Sequence, residues 1–402
     1  FQAEDGIRDR SPSRGLGDVY KRQLDNDLRL GGSVLVMGDA TAAVLHGVED
    51  LRVETYAVPE VGIDDAVLRV EACGLCGTDH ELYNGHIPAP YPIVPGHETV
   101  GLIEAIGEKA AEKWQVSVGD RVAVECWQSC GACDPCLAGI YRRCVRHGQT
   151  DLYGMIPTER EPSLYGGYAT HHYLSPDSLV LPVPGELDAV EATLFNPLGA
   201  GIKWGVEIPG TQQGDFVAVL GPGIRGLCAL VATREAGAEF VAVTGYGPND
   251  HPRLELALAM GADLVVDVAE EDPVRKFREA TGGRLADVVV DVTANAPTAF
   301  GQAVRLSAVD ATIVMAGVRG QKGAPDLHTD AIIWKEITVK GALGVDAPVY
   351  RKALELLAGR AFPFELLTRR EVGLTDTSEL LTSMAGKGSE PPPVHGVIVP
   401  GL

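Results

Sequence analysis

Hydrophobic positions follow two different rhythms along the chain. From Met37 to about Pro184, short apolar runs such as VLRVEACG and GDRVAVECW are broken by Gly, Pro and Asp. Short runs bounded by turn residues predict an irregular, antiparallel, barrel-like β domain. From about Gly214, Val-rich runs such as DFVAVLG and ADVVVDV alternate with helical patterns such as GLCALVATREAG. This alternation predicts a parallel sheet with helices on both faces, and therefore an α/β fold class.

The two ends of the chain follow neither rhythm. The first 36 residues, beginning FQAEDGIRDRSPSRG, have no helical or strand period and resemble a translated sequencing-adapter read. Residues 1–36 are therefore interpreted as a non-native or disordered leader and are excluded from the fold. After Ile337 the pattern is mixed, with a helix around YRKALELLAG and a final strand, VHGVIVP. Such a tail predicts a return of the chain to the first domain.

Composition and charge narrow the functional classes. A chain of 402 residues with 45% apolar and 22% charged residues can form two domains with separate cores. The formal charge of −21 argues against nucleic-acid binding, because neutralising phosphates requires concentrated Lys and Arg. Neither a long apolar run nor a secretory signal is found, which argues against membrane insertion and export. We therefore expect a cytoplasmic protein, whose acidity favours solubility but names no partner.

Four of the eight cysteines form one loop, CGACDPCLAGIYRRC, with the spacing C-x2-C-x2-C-x7-C. Thiolates clustered in this way suit a closed, tetrahedral structural zinc site. Disulfides or redox thiols are the alternative, but adjacent x2 spacings make poor disulfide pairs. The predicted zinc ligands are Cys130, Cys133, Cys136 and Cys144.

A second candidate metal cluster is more widely spread. Cys76 in GLCGTDHELYNG and His97 in VPGHETVG both lie in tight, glycine-rich turns. A thiolate and an imidazole from such turns could meet on one metal ion. Each residue alone is better explained by a structural role, but the zinc loop downstream favours a second metal.

The glycine-rich stretch GPGIRG follows the strand DFVAVL and opens a helix inside a βαβ unit. This context predicts dinucleotide binding rather than a simple glycine-rich turn. Gly221 makes the tight turn, Gly223 lets the backbone approach a pyrophosphate, and Gly226 allows close packing of helix on strand. Free N–H groups at the helix start, at Ile224 and Arg225, are expected to hold the phosphates.

These motifs together resemble the zinc-containing medium-chain alcohol dehydrogenase superfamily. CGTD, GHE, the four-cysteine loop, GDRV and GPGIRG occur in the family's order, and the resemblance covers the chain from Met37 onward. It implies a GroES-like catalytic domain over 37–196, a Rossmann domain over 197–338, and a return to the catalytic domain over 339–402. It also implies an NAD(P) cofactor and a homodimer or homotetramer.

The resemblance assigns roles to residues of the second cluster. Cys76 and His97 match the catalytic zinc ligands, and Glu98 matches the acidic neighbour that can approach or replace a ligand. The family's third ligand, Cys, Glu or Asp, lies where this chain has Asn196, whose amide oxygen is a weak donor for zinc.

Three alternatives stay open at this third position. Zinc could be held by Cys76, His97 and water, with Glu98 joining and Asn196 binding metal or substrate. The catalytic zinc could instead be labile or absent, which would leave a nicotinamide-dependent reductase. The chain could also be a nucleotide-binding protein without turnover.

The proton path and the second coordination shell are also implied by the resemblance. Thr78 matches the hydroxyl that takes the substrate proton, and Asp79 is expected to orient His97. The family often has a histidine five residues after the ligand cysteine, whereas this chain has Glu81 there and His80 one place earlier. His80 is therefore the candidate for the next step of the relay, and the path beyond Thr78 stays open.

The cofactor's ribose end lacks the expected acid. Thr244 and Gly245 occupy the strand end where an Asp or Glu usually binds the NAD ribose. A 2′-phosphate could be accommodated there by His251 or Arg253, which favours NADP slightly. Asp250 could recover the NAD contact or help to cap the following helix.

Other strand ends and helix residues complete the set of candidates. Thr293, Gly317 and Val318 end strands on the expected nicotinamide side and are candidate cofactor contacts. Lys203 and Trp204 are interpreted as packing residues of the first helix after the domain crossing.

The predicted reaction is hydride transfer between an alcohol, polyol or sugar hydroxyl and NAD(P)+. A polyhydroxy substrate is favoured by Glu81 after CGTD, with a simple alcohol as the alternative.

Overall fold

The computed structural model describes residues 29–30, 33–34 and 38–402, except 295, 320–322, 326, 385 and 388–391. Most of the predicted leader, residues 1–36, and Met37 therefore lie outside the described residues. Within the leader, two short strands, Arg29–Leu30 (β1) and Ser33–Val34 (β2), pair antiparallel.

Strands dominate the first half of the described chain, and helices alternate with strands in much of the second half. The strands are β3 (Asp39–Gly47), β4 (Asp50–Ala57), β5 (Ala66–Leu75), β6 (Glu98–Ile106), β7 (Arg121–Val124), β8 (His171–Leu174), β9 (Val180–Pro182), β10 (Phe216–Leu220), β11 (Phe240–Gly245), β12 (Leu264–Asp267), β13 (Ala286–Asp291), β14 (Ser307–Met315), β15 (Thr338–Gly341), β16 (Arg369–Val372) and β17 (His395–Ile398). The α-helices are α1 (Gly77–Tyr83), α2 (Glu108–Trp114), α3 (Asp134–Leu137), α4 (Ala189–Ala192), α5 (Phe195–Ile202), α6 (Ile224–Glu235), α7 (His251–Ala259), α8 (Pro273–Thr281), α9 (Ala299–Leu306), α10 (Thr329–Trp334), α11 (Ala347–Ala358) and α12 (Thr377–Met384). A π-helical segment, Lys203–Glu207, continues α5.

The first sheet has the order β16-β17-β5-β6-β7-β9, with β8 also paired to β5. All its pairs are antiparallel except β16 with β17. The last strand, β17, pairs with the end of β5 next to Cys76, so the C-terminal segment lies in the first sheet.

The second sheet is entirely parallel and has the order β12-β11-β10-β13-β14-β15. This is the doubly wound order 3-2-1-4-5-6, in which ligands bind at the carboxyl ends of the strands where the order reverses. Its first strand, FVAVL, is buried at every position, as a strand covered on both faces must be. The α/β fold class with a parallel, doubly wound sheet is confirmed. The sheet extends through Gly341, past the predicted boundary at 338.

Helix α5 explains the glycines of LFNPLGAG. It packs between α6 and α11, and nearly all its residues are buried. A Cβ at Gly199 would overlap the Tyr350 ring, and one at Gly201 would overlap the backbone of Cys228. The small residues therefore let α5 approach both helices, and this packing fixes Asn196 at its first turn.

Candidate active site

The start of α1 positions the Cys76 sulfur. Cys76 is the N-cap residue: its backbone N–H donates to Asp79 Oδ2 at 2.9 Å, and its Sγ accepts from the Thr78 N–H at 3.5 Å. The Thr78 hydroxyl lies 3.5 Å from the same sulfur. The capping box therefore fixes the thiol and brings Thr78 beside it.

His97 and Glu98 come from the start of β6 and face the same point. The donor atoms of Cys76, His97 and Glu98 all lie within 4.8 Å of one another. Asp79 Oδ1 is buried without a hydrogen bond and lies 3.5 Å from His97 Nδ1. Asp79 therefore lies beside the imidazole that it is predicted to orient.

Burial and mutual charge shift the pKa values of the three groups. Burial disfavours the Cys76 thiolate, but Arg225 and His97 lower its pKa to about 5. Burial disfavours the His97 imidazolium, but Asp79 and Cys76 raise the pKa of His97 well above its usual range. Burial and the neighbouring sulfur raise the pKa of Glu98 to about 8, against the opposing effect of Arg225.

Asn196 lies at the same pocket with both ends of its amide in use. The side chain is 3% exposed, Nδ2 donates to the Tyr350 hydroxyl at 3.1 Å, and Oδ1 accepts from Arg225 Nη2 at 3.2 Å. Tyr350 was not anticipated because it lies 154 residues away in the sequence. The amide therefore has a fixed orientation, with its oxygen toward the pocket.

Arg225 was expected to contribute its backbone N–H to cofactor phosphates, but its side chain reaches the metal pocket. Nη2 donates to Cys76 Sγ at 2.9 Å and to Glu98 Oε1 at 3.4 Å, besides Asn196. The guanidinium lies over the Trp204 ring, 5.3 Å from its centroid. Trp204 therefore does more than the packing assigned to it from sequence.

The four-cysteine loop closes into a compact cluster. Its four sulfurs lie within 4.8 Å of one another, with 3.8 Å between Cys130 and Cys136 and 4.0 Å between Cys133 and Cys144. Sulfurs around a tetrahedral zinc with bonds near 2.3 Å lie roughly 3.8 Å apart. All eight cysteines of the chain are free thiols in the described residues, so the geometry fits zinc and not disulfides.

The glycines of GPGIRG form a tight turn that leaves open space at the start of α6. Gly221 has φ +104°, and its N–H donates to the Thr244 carbonyl at 3.0 Å. A Cβ at Gly226 would overlap the Gly221 carbonyl, whereas one at Gly223 would meet nothing within 4 Å. The space in front of Gly223 and the free N–H groups of α6 are therefore open to a ligand.

Strand ends beside this loop carry the predicted nicotinamide-side residues. The Thr293 hydroxyl donates to Asp291 Oδ1 at 2.7 Å, and Gly317 packs against the Thr293 carbonyl. Val318 is 76% exposed at the same edge. Asp291 is also ion-paired with Arg319 inside the protein, a contact that sequence reasoning missed.

At the predicted ribose end, Asp250 does not cap α7 with its side chain. It precedes α7 but accepts from the Tyr246 N–H at 2.9 Å and lies 3.4 Å from Arg253. A cavity of about 450 Å³ adjoins this region, and Arg253, Arg369 and Arg370 are among its lining residues.

His80 is the predicted site residue that the structure does not bring to the pocket. Its ring contacts the Asn84 amide at 2.6 Å and lines a separate cavity with Thr382 and Lys387. Among the described residues no hydrogen bond joins it to Thr78. His80 is one residue earlier in α1 than the family's histidine, so its ring lies on a different face of the helix. His80 is therefore not part of the pocket formed by Cys76, His97 and Glu98.

Comparisons with known proteins agree with the geometry. A model of the alcohol dehydrogenase GroES-like domain matches residues 62–185, and a zinc-binding dehydrogenase model matches residues 226–359. The chain is 58% identical over 360 residues to the probable alcohol dehydrogenase adh of Mycobacterium tuberculosis, covering 89% of this chain and 98% of that one. It is 30% identical to the sorbitol dehydrogenase of Bacillus subtilis, over 85% of this chain and 88% of that one.

A solved structure gives the same result for the fold. A zinc-binding dehydrogenase from Sinorhizobium meliloti 1021, bound to NADP, superposes with a TM-score of 0.78 at 26% identity, covering 90% of this chain and 100% of that one. No helix among the described residues is long and apolar enough to cross a membrane. The chain belongs to the zinc-dependent medium-chain alcohol dehydrogenase superfamily and is an enzyme that acts on alcohol donors.

Proposed function

We propose that this enzyme transfers a hydride between the hydroxyl-bearing carbon of a polyol, sugar or alcohol and NAD(P)+, giving a ketone or aldehyde. The observation that carries the proposal is the convergence of Cys76, His97 and Glu98 on one point, opposite the first turn of α6. The proposed metal pocket therefore lies beside the start of α6, the proposed dinucleotide site.

The pocket fits zinc. Thiolate, imidazole and carboxylate are ligands that zinc takes, and the Asn196 oxygen or water could complete the set. The buried Asp79 oxygen beside His97 Nδ1 would hold the imidazole so that its other nitrogen faces the metal. When bound here, zinc would supply Lewis acidity that makes an alcohol hydroxyl easier to deprotonate.

The residues of the chain supply the proton acceptor and the cofactor site. Thr78 lies beside Cys76 and next to the exposed Gly77, so its hydroxyl can accept the substrate's proton and pass it toward solvent. The open face of Gly223 and the N–H groups of Ile224 and Arg225 would bind the pyrophosphate. Thr293, held by Asp291, would contact the nicotinamide side of the cofactor.

We favour NADP over NAD as the cofactor. No acidic residue ends β11, and Arg253 has a buried Nε without a hydrogen-bond partner among the described residues. The adjoining arginine-lined cavity is suited to a phosphate. The Sinorhizobium relative was solved with NADP, which supports the same choice. We expect Arg253→Gln to lower kcat/KM for NADP+ about tenfold or more while that for NAD+ changes little.

We also propose a homodimer that pairs the outer edges of two Rossmann sheets. β15 is exposed throughout and has no strand on its outer side among the described residues. Ile333 and Trp334 beside it are 70% and 78% exposed. An uncovered edge strand with apolar neighbours is suited to pairing with a second copy.

We also propose a location in the cytoplasm, with which the free thiols agree.

The test is an oxidation screen over polyols, sugars and simple alcohols with NADP+ and NAD+, on protein equilibrated with excess zinc. We expect turnover that is highest with a polyhydroxy substrate and is lost in Cys76→Ser. Cys228→Ala is the matched control, because Cys228 is a buried thiol outside both clusters and should leave turnover unchanged. Cofactor binding without turnover of any alcohol or carbonyl would refute the proposal.

A further inference from the structure

The Arg225 guanidinium contacts the atoms that would hold the metal. One nitrogen, Nη2, lies 2.9 Å from Cys76 Sγ, 3.4 Å from Glu98 Oε1 and 3.2 Å from Asn196 Oδ1. A zinc ion bonded to this sulfur at about 2.3 Å and to the Glu98 carboxylate would have to lie among the same ligand atoms that Nη2 now contacts. The guanidinium and a zinc ion cannot both use the Cys76 and Glu98 electron pairs from this side.

Charge leads to the same conclusion. Cys76 and Glu98 are the two groups that can carry negative charge toward Arg225, and Asn196 adds none where the family has Cys, Glu or Asp. Arg225 keeps its charge at every accessible pH. A dication placed a few ångströms from this cation, in a pocket where Glu98 is only 3% exposed, would meet poorly screened repulsion.

The Arg225 guanidinium packs on an aromatic ring but is also partly exposed to solvent. It lies over Trp204, whose Nε1 donates to the Gly344 carbonyl at 3.2 Å, and this contact fixes the ring beneath it. The Arg225 side chain is nevertheless 24% exposed and stands on the first turn of α6, where the cofactor phosphates are proposed to bind. Rotation of the side chain toward solvent would carry its charge away from Cys76 and Glu98 without moving the helix.

We propose that Arg225 and zinc compete for Cys76 and Glu98, so that the second zinc of this enzyme binds only when the guanidinium swings away and is readily exchanged. This inference rests on the proposed metal pocket. It makes Arg225 a residue that sets metal affinity at the active site, in addition to its proposed backbone contact with the cofactor.

The test measures zinc content per chain over a series of buffered free-zinc concentrations, by elemental analysis after gel filtration. The proteins are wild type, the neutral variants Arg225→Met and Arg225→Gln, and Cys76→Ser, which should keep only the four-cysteine zinc. Arg234→Met is the matched control, because Arg234 lies on the same helix and is 20% exposed, remote from the pocket. Thermal unfolding of each variant checks that it is folded.

We expect both neutral variants to bind the second zinc about tenfold more tightly than wild type, or more, because a unit positive charge beside the metal is gone. Arg234→Met should match wild type. Equal second-site affinity in wild type and in the folded Arg225 variants would overturn the competition while leaving the metal pocket intact. One zinc per chain in every variant at all zinc concentrations would overturn both the competition and the proposed pocket.

Discussion

Among single residues, His172 on β8 is a buried histidine whose two ring nitrogens have no hydrogen-bond partner among the described residues. The Tyr153 ring packs against it edge to face at 4.7 Å. Burial lowers the pKa of His172 to about 3. The unfolded chain therefore binds a proton near pH 6.5 that the folded protein excludes until near pH 3, and folding stability falls as the pH drops through that window.

We predict that His172→Phe makes the protein more tolerant of acid. Each pH unit between about 6.5 and 3 should cost wild type about 1.4 kcal/mol more than the variant in free energy of unfolding. Denaturant unfolding at pH 7, 5.5 and 4.5 measures the difference. His86→Gln, which removes a histidine with a 66% exposed side chain, should behave like wild type. Parallel pH profiles for His172→Phe and wild type would contradict the assignment.

How far a residue's role could be predicted depended on how local its cause is. The four loop cysteines could be singled out because their C-x2-C-x2-C spacing is short and typical of zinc loops, whereas Cys76 and His97, 21 positions apart, were singled out by their glycine-rich turns and the resemblance. The side-chain contact of Arg225 could not be found, because it joins residues 149 positions apart and depends on a rotamer set by Trp204. For the same reason Tyr350 was missed as the partner of Asn196.

Among the elements, the start of α6 contains two glycines with different roles: Gly226 is needed for packing, and Gly223 borders open space. A Cβ at Gly226 would overlap the Gly221 carbonyl, so the helix could not keep its distance from β10. We predict that Gly226→Ala lowers the free energy of unfolding by about 1–3 kcal/mol, the usual cost of overpacking. Thermal or denaturant unfolding without cofactor measures this change.

Gly223→Ala is the matched counterpart in the same loop. Its added methyl group would meet nothing within 4 Å, so stability should hold. The methyl group would instead point to where the pyrophosphate is proposed to bind, and the Kd for NADP+ should rise about tenfold. If Gly223→Ala binds cofactor normally, the phosphates do not lie in front of this glycine.

The elements themselves were largely predictable, since alternating Val-rich strands and amphipathic helices leave few ways to bury both faces of a sheet. Their ends were less so. The π-helical continuation of α5 packs on α6 and β13, and no local sequence pattern indicates it. Asp250 has the sequence of a helix cap. The chain turns at Gly247, with φ +72°, however, and the Asp250 carboxylate accepts a hydrogen bond from the Tyr246 N–H instead of capping α7.

For the whole molecule, the exposed edge at β15 predicts the route of assembly. Val339→Asp combined with Trp334→Glu should give a folded monomer, because two carboxylates would be buried at the dimer edge. Light scattering after gel filtration measures the mass. Val53→Asp, on the exposed face of the β3–β4 hairpin, is the control and should stay oligomeric. An unchanged mass for the double variant would place the interface elsewhere.

The position of Arg225 in GPGIRG links the cofactor site to the metal site. The backbone of this short loop lies where the dinucleotide phosphates are proposed to bind, and its Arg225 side chain contacts the proposed metal ligand Cys76. Phosphates that attract the guanidinium would release the thiolate for zinc, so each ligand should strengthen the other's binding by an identical factor. The binding equilibria of zinc and of the oxidised cofactor would then be thermodynamically coupled, so the enzyme would bind its zinc most tightly when NAD(P)+ is bound.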